Sequence, residues 1–231
     1  MFSKKIILTL FLVVSVYLAN AQEDNQRRTL TTSPFLGIKV YSGLEVNLIA
    51  SEVNKAVVYG PQSDDVILGI KNGVLQVKIS LGSFSDSLPT RVDLYHSKLL
   101  NEITATQQAK ITSQGPLVQT SINLKSNSAA VLDFEIYADR LDAVATNGGR
   151  IELEGTVSSF NLNVNTGGSC EAEQLQTSQV QTKLIGGGYA YVTVSDLINA
   201  EVMAGSVLRV YGDPVKKVYQ KKLGGKLYFE K

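Results

Sequence analysis

Apolar and polar residues alternate with a period of two through most of this chain, and no stretch of ten or more residues carries a helical period with a capping signal. Leu36, Ile38 and Val40, then Leu44, Val46 and Leu48, then Val66, Leu68 and Ile70 each line one side of an extended segment. Leu75, Val77 and Ile79 do the same opposite Val74, Gln76 and Lys78. Such alternation predicts half-buried β-strands. Asn72-Gly73 between two of these runs predicts a tight hairpin, because a type I′ turn needs two central residues that tolerate positive φ.

From about residue 111 the alternation itself repeats. Ile111, Leu132, Ile151, Cys170, Ala190 and Leu208 lie 18 to 21 residues apart, and Ile122, Leu141, Phe160, Val180 and Ile198 form a second series at nearly the same spacing. Between the two series sit small-residue corners: Asn127-Ser128-Ala129-Ala130, Asn147-Gly148-Gly149, Thr166-Gly167-Gly168, Gly186-Gly187-Gly188 and Ala204-Gly205-Ser206. Two apolar ladders separated by such corners predict an all-β parallel β-helix, a solenoid of about 20-residue rungs, since each rung can bury its inward side chains only against its neighbours. Right-handed winding is expected from the hand of parallel crossovers. Six rungs at about 4.8 Å give a rod of roughly 29 Å. A β-sandwich would not explain constant spacing with corners at one phase.

The remaining segments divide the chain. Lys4 and Lys5, the apolar run Ile6 to Leu18 and Ala19-Asn20-Ala21 read as a secretory signal over residues 1–21. Residues 22–33 are polar and without period, which predicts a flexible lead-in with order beginning near Phe35. One domain is expected over 34–231. In it the strands of 34–88 act as a hairpin-like start and cap, 89–231 form the rungs, and a Ser-, Gly- and Pro-containing boundary falls at Gly82 to Pro89. No cysteine follows the expected cleavage site to carry a lipid, and no later apolar run has membrane length. Basic and acidic side chains balance, at 22 against 21 in the whole chain, which speaks against a nucleic-acid partner. The single cysteine, Cys170, falls in the inward series and is expected to be buried and unreactive.

Several of these features resemble the secreted head GIN domain family, described as auto-transporter adhesins of Bacteroidetes-type Gram-negative bacteria. They are Phe35-x-x-Ile38-x-Val40-x-x-Gly43-Leu44-x-Val46, Asn72-Gly73-Val74-Leu75-x-Val77, the Gly/Ser-cornered repeats, and Val210-Tyr211-Gly212-Asp213-Pro214. The resemblance covers nearly all of residues 34–231. It implies an exported β-helix at the cell surface or in the periplasm that serves attachment, and it carries over no catalytic motif. Gln107-Gln108-Ala109 and Asn127-Ser128-Ala129-Ala130 depart from the family's Gly-Ser corners, so first rungs of altered shape are expected there.

In the repeat register, Asp133, Glu152 and Glu171 fall in one outward file and Glu135, Glu154 and Glu173 in a second. Tyr191, Thr193, Arg209 and Tyr211 continue the same face. Neighbouring carboxylates about 4.8 Å apart in water repel by roughly 0.9 kcal/mol, so this face could take a weakly bound Ca²⁺ or a donor-rich partner. No resident cofactor is expected. A glycan or an envelope or extracellular protein is the expected partner, and a homo-oligomer stays open. Acidic pairs also serve glycoside hydrolysis, so a polysaccharide lyase or glycosidase on a β-helix is the alternative to a non-enzymatic binding scaffold. Against it, near-constant rung lengths leave no long insertion to wall off water. His96, the only histidine, reads as a surface or turn residue, and Gly186-Gly187-Gly188 as a corner without the Lys-Ser/Thr of a phosphate loop. Lys216, Lys217, Lys221, Lys222 and Lys226 read as a charged guard on an open strand edge.

Overall fold

The computed structural model describes residues 27–80 and 89–230, so the signal-like segment and most of the Gly82–Pro89 boundary lie outside the described residues. The chain winds as an all-β solenoid of about seven turns with rungs of about 19 residues. Its regular part consists of β10 (Leu117–Asn127), β11 (Val131–Thr146), β12 (Arg150–Asn165), β13 (Ser169–Ile185), β14 (Tyr189–Met203) and β15 (Val207–Tyr211). All of these pair in parallel with the next in line. Each long strand spans two stacks, a leading column and a trailing column.

Both sequence ladders are present residue for residue. In the leading column Ile111, Leu132, Ile151, Cys170, Ala190 and Leu208 are successive register partners. In the trailing column Ile122, Leu141, Phe160, Val180 and Ile198 are. Each of these side chains is at most 1% exposed, and all belong to one core. Cys170 is fully buried, and desolvation pushes its thiol far above the usual range, so it is a core side chain with no thiolate to offer.

The corners join the end of one trailing segment to the next leading segment through two residues of positive φ. Pairs of this kind occur at Ser42-Gly43, Gln107-Gln108, Ser128-Ala129, Asn147-Gly148, Thr166-Gly167, Gly186-Gly187, Ala204-Gly205 and Leu223-Gly224. The second residue of each of the first seven donates its backbone N–H to the carbonyl of the first residue in the pair one rung on. Gln107-Gln108 and Ser128-Ala129 are therefore not reshaped: they take the glycine conformation (φ 55° and 63°, 54° and 59°) without glycine. The cross-rung hydrogen bonds hold them there against a cost of about 1 kcal/mol per residue.

The N-terminal part differs from expectation in two ways. First, Arg27–Thr31 is not a loose lead-in: it forms β1, antiparallel to β4 (Lys55–Tyr59), which is in turn antiparallel to β7 (Arg91–His96). Its polar residues suit an outermost strand with one solvated side, which is why they showed no apolar alternation. Second, the early strands are rungs as well as hairpins. β2 (Gly37–Val40) and β3 (Glu45–Ala50) make a complete rung, parallel on one side to β6 (Val74–Ile79) and β7 and on the other to β8 (Glu102–Ala105) and β9 (Lys110–Ser113). The first rung in sequence thus lies second in the stack. The expected hairpin at Asn72-Gly73 joins β5 (Val66–Lys71) to β6, with φ of 52° and 76°. β1, β4 and β5 close this end with antiparallel strands.

At the other end, β16 (Lys216–Lys222) stacks on the trailing half of β14, and β17 (Lys226–Phe229) on β15. β16 is exposed throughout. Lys217 and Lys221 occupy the register of Ile198 and Val202, and the Lys217 ammonium lies 5.0 Å from the Phe229 ring. Long stems over the open core end with charged tips in water are the guard that the lysine cluster suggested.

Candidate binding face

The outward side chains of the leading column form the candidate face. Strand register places Asp133, Glu152, Glu171, Tyr191 and Arg209 in one file, which Tyr228 continues. Glu135 and Glu154 are partners in the second file, and Thr193 and Tyr211 are partners above them. Glu173 does not join them. β13 carries extra residues here, so Glu154 pairs with Gln174, and towards β14 the register runs from Ala172–Val192 directly to Gln176–Thr193. The bulge buries Leu175 and turns Glu173 out of file, its carbonyl accepting from Thr193 Oγ1 at 2.6 Å. A shallow depression of about 220 Å³ results, lined by Asp133, Glu152, Leu153, Glu154, Glu171 and Glu173.

Two residues beside the files, which the repeat alone does not single out, set the electrostatics. Arg150 places Nε 2.9 Å from Glu152 Oε1 and its terminal nitrogen 3.1 Å from Glu171 Oε2. Tyr189 donates its hydroxyl to Glu171 Oε1 at 2.8 Å, and partial burial followed by that bond raises its own pKa. The signal was present: Arg150, Glu152 and Glu154 share one parity along β12, so a residue facing out two places before Glu152 had to meet the acidic file. Higher up, Tyr189 and Tyr191 rings approach to 5.3 Å, Arg209 pairs with Glu230, and its guanidinium lies 5.1 Å from the Tyr228 ring centre. Near the bend Tyr137 donates to Glu135 at 2.8 Å.

The face therefore grades from acidic to aromatic and basic. Arg150 already relieves the repulsion that a cation would have relieved, and among the described residues no group of three or more acidic, histidine or cysteine side chains is placed to hold a metal. Replacing Arg150 by alanine should lower stability by about 1 kcal/mol at low salt, by leaving Glu152 and Glu171 stacked without a counter-charge. The loss should shrink as salt rises. Thermal melts at two ionic strengths check this, and equal melting points at low salt would refute it.

His96 is not a surface residue. It is 9% exposed, packs against the Phe35 ring at 6.4 Å, and brings Nδ1 to 2.9 Å from the Lys98 carbonyl oxygen. Phe35, just ahead of β2, and Leu48 and Ala50 of β3 lie around it with its own following loop, so only part of this environment is local in sequence.

Rungs, corners and face define a β-solenoid with one continuous polar exterior file. The chain belongs to the family described as "Putative auto-transporter adhesin, head GIN domain", whose model matches residues 34–214. Its fold is that of several solved structures. One, described as a putative adhesin from Bacteroides fragilis, has a TM-score of 0.80 at 18% identity, covering 88% of this chain and 96% of that one. A second, described as a putative adhesin from Parabacteroides merdae, has a TM-score of 0.66 at 21% identity over 89% and 95%. A third, from Parabacteroides distasonis and described as a putative lipid binding protein, has a TM-score of 0.67 at 15% identity over 89% and 96%. No curated protein matches the chain. No helix among the described residues is long and apolar enough to cross a membrane.

Proposed function

We propose that this protein is an exported, non-enzymatic binding scaffold of the cell envelope, which engages an extracellular protein or glycan through the face running from Asp133 to Arg209. The observation that carries the reading is the unbroken outward file Asp133, Glu152, Glu171, Tyr191 and Arg209 across five successive rungs. Carboxylates, phenols and a guanidinium at one rung spacing offer both hydrogen-bond acceptors and donors to an extended partner. Membership of a family described as adhesins supports attachment as the role. The enzymatic alternative is less well supported: Glu152 and Glu171 are both engaged by Arg150, and the depression beside them is shallow rather than a cleft that excludes water.

Binding of the purified protein to isolated envelope and to a panel of glycans tests the proposal. Joint replacement of Glu171, Tyr191 and Arg209 by alanine should weaken binding at least tenfold, while Asn161→Ala with Asn199→Ala in the trailing column should not. Product release from any glycan, abolished by Glu152→Ala and Glu154→Ala, would establish the enzyme instead. Finding the chain in the cytoplasm with residues 1–21 still attached would remove the exported part of the reading.

A further inference from the structure

Beside the end of β3 and β7, on rungs that precede the acidic face, lies a pocket of about 230 Å³. Leu48, Leu100 and Ile122, each at most 2% exposed, make its floor. Leu99 and Val118, 63% and 62% exposed, make its rim. Ser113, Gln114 and Gln119 stand at its more open side, and one nearly buried polar side chain, His96, enters the mostly apolar lining.

The chemistry of that imidazole is set by its neighbour. Its Nδ1 lies 2.9 Å from the Lys98 carbonyl oxygen, which can only accept, so Nδ1 carries the hydrogen. In the neutral ring Nε2 is then left with its lone pair; the Nδ1 contact is the ring's one hydrogen bond among the described residues, and Nε2 stays open to solvent. The backbone that carries the ring is anchored. Phe35 backs the ring, Ser51 donates its N–H to the His96 carbonyl at 2.9 Å, and the next residue, Ser97, donates its N–H to Asn54 Oδ1 at 3.0 Å. An oriented acceptor in an apolar pocket selects for a donor on an apolar body, because an unmet polar atom in such a site costs about 1–3 kcal/mol.

We propose that this pocket binds a single-ring phenol, its ring on Leu48, Leu100 and Ile122 and its hydroxyl donating to His96 Nε2. Size agrees with this: an apolar cavity of about 150 Å³ accepts benzene, and the larger volume here leaves room for a hydroxyl and a small substituent. The same phenol can be a free molecule or the tyrosine side chain of a partner protein.

His96 is the only histidine, so its ring nitrogens are a unique reporter in ¹⁵N-edited long-range spectra. In mildly alkaline buffer the free protein should show the Nδ1–H tautomer. p-Cresol should shift the Nε2 resonance saturably, and toluene and 4-methylanisole, which keep the ring but lack the donor, should bind at least tenfold more weakly. Leu99→Asp with Val118→Asp should abolish the cresol response at an unchanged melting temperature. A capped tyrosine peptide binding more tightly than cresol assigns the phenol to a protein partner, and the reverse order assigns it to a free metabolite. An Nε2–H tautomer, no saturable shift, or equal affinity for cresol and toluene would overturn the proposal.

Discussion

Replacement of Gly155 by alanine is expected to cost at least about 3 kcal/mol, because two separate penalties meet at this residue. Its φ is +107°, outside the range that residues with a Cβ adopt readily, and an added Cβ would lie 2.3 Å from the Ile136 carbonyl oxygen on the rung below. That oxygen belongs to backbone in register with Gly155 on β11, while Leu175 of β13 lies in register on the other side. Relief therefore requires the rungs to part. Gly167→Ala is the matched control: φ is +70° there, but nothing lies within 4 Å of the added atom, so only the conformational cost of about 1 kcal/mol should appear. Denaturant midpoints for the two variants measure the difference. Equal losses would show that the close approach of rungs at Gly155 is not a constraint.

Removal of residues 1–88 should convert the protein into soluble aggregates on size-exclusion chromatography. The cut takes away β2 and β3 and with them the parallel partners of β8, β9 and β7. It also takes β4, the other partner of β7. Ile103, Ala105 and Ile111, now fully buried, would face water from the end of the stack, beside two strand edges with unpaired backbone groups. A monodisperse fragment of residues 89–231 would mean that β8 and β9 can end the solenoid by themselves.

The regular rungs were legible because one physical constraint, vertical stacking of inward side chains, writes itself into the sequence as a period. Leu132, Ile151 and Cys170 could be placed in contact with no knowledge of coordinates, and the structure pairs them so. What the period cannot encode is an exception to itself. The bulge that displaces Glu173 adds residues to one strand without disturbing the ladders on either side. Gln107 and Ala129 hold positive φ through hydrogen bonds supplied by neighbouring rungs, so their own identity gave the wrong hint. The position of β2–β3 between β6–β7 and β8–β9 rests on pairings across 37 to 65 residues, where alternation reports that a strand exists and not which strands flank it. The acidic file was legible for the same reason as the ladders, whereas the counter-charge from Arg150 needed attention to parity within one strand. The burial of His96 was not legible because Phe35, Leu48 and Ile122, which close over it, come from distant segments.

The interleaved position of β2–β3 has a kinetic consequence. A chain presented N-terminus first offers its most interlocked rung at the outset, yet both flanks of that rung are contributed by segments that arrive later, the last of them ending at Ser113. Gly37–Val40 and Glu45–Ala50 must wait with both edges open until Val74–Ile79 and Arg91–His96 supply one flank, and with one edge open until Ser113 completes the other. The downstream rungs have no such debt, since each finds its partner about 20 residues away. Completion of the early interlock, not the winding of the later turns, should therefore set the pace of folding, and this interval is when an escorting chaperone would matter most.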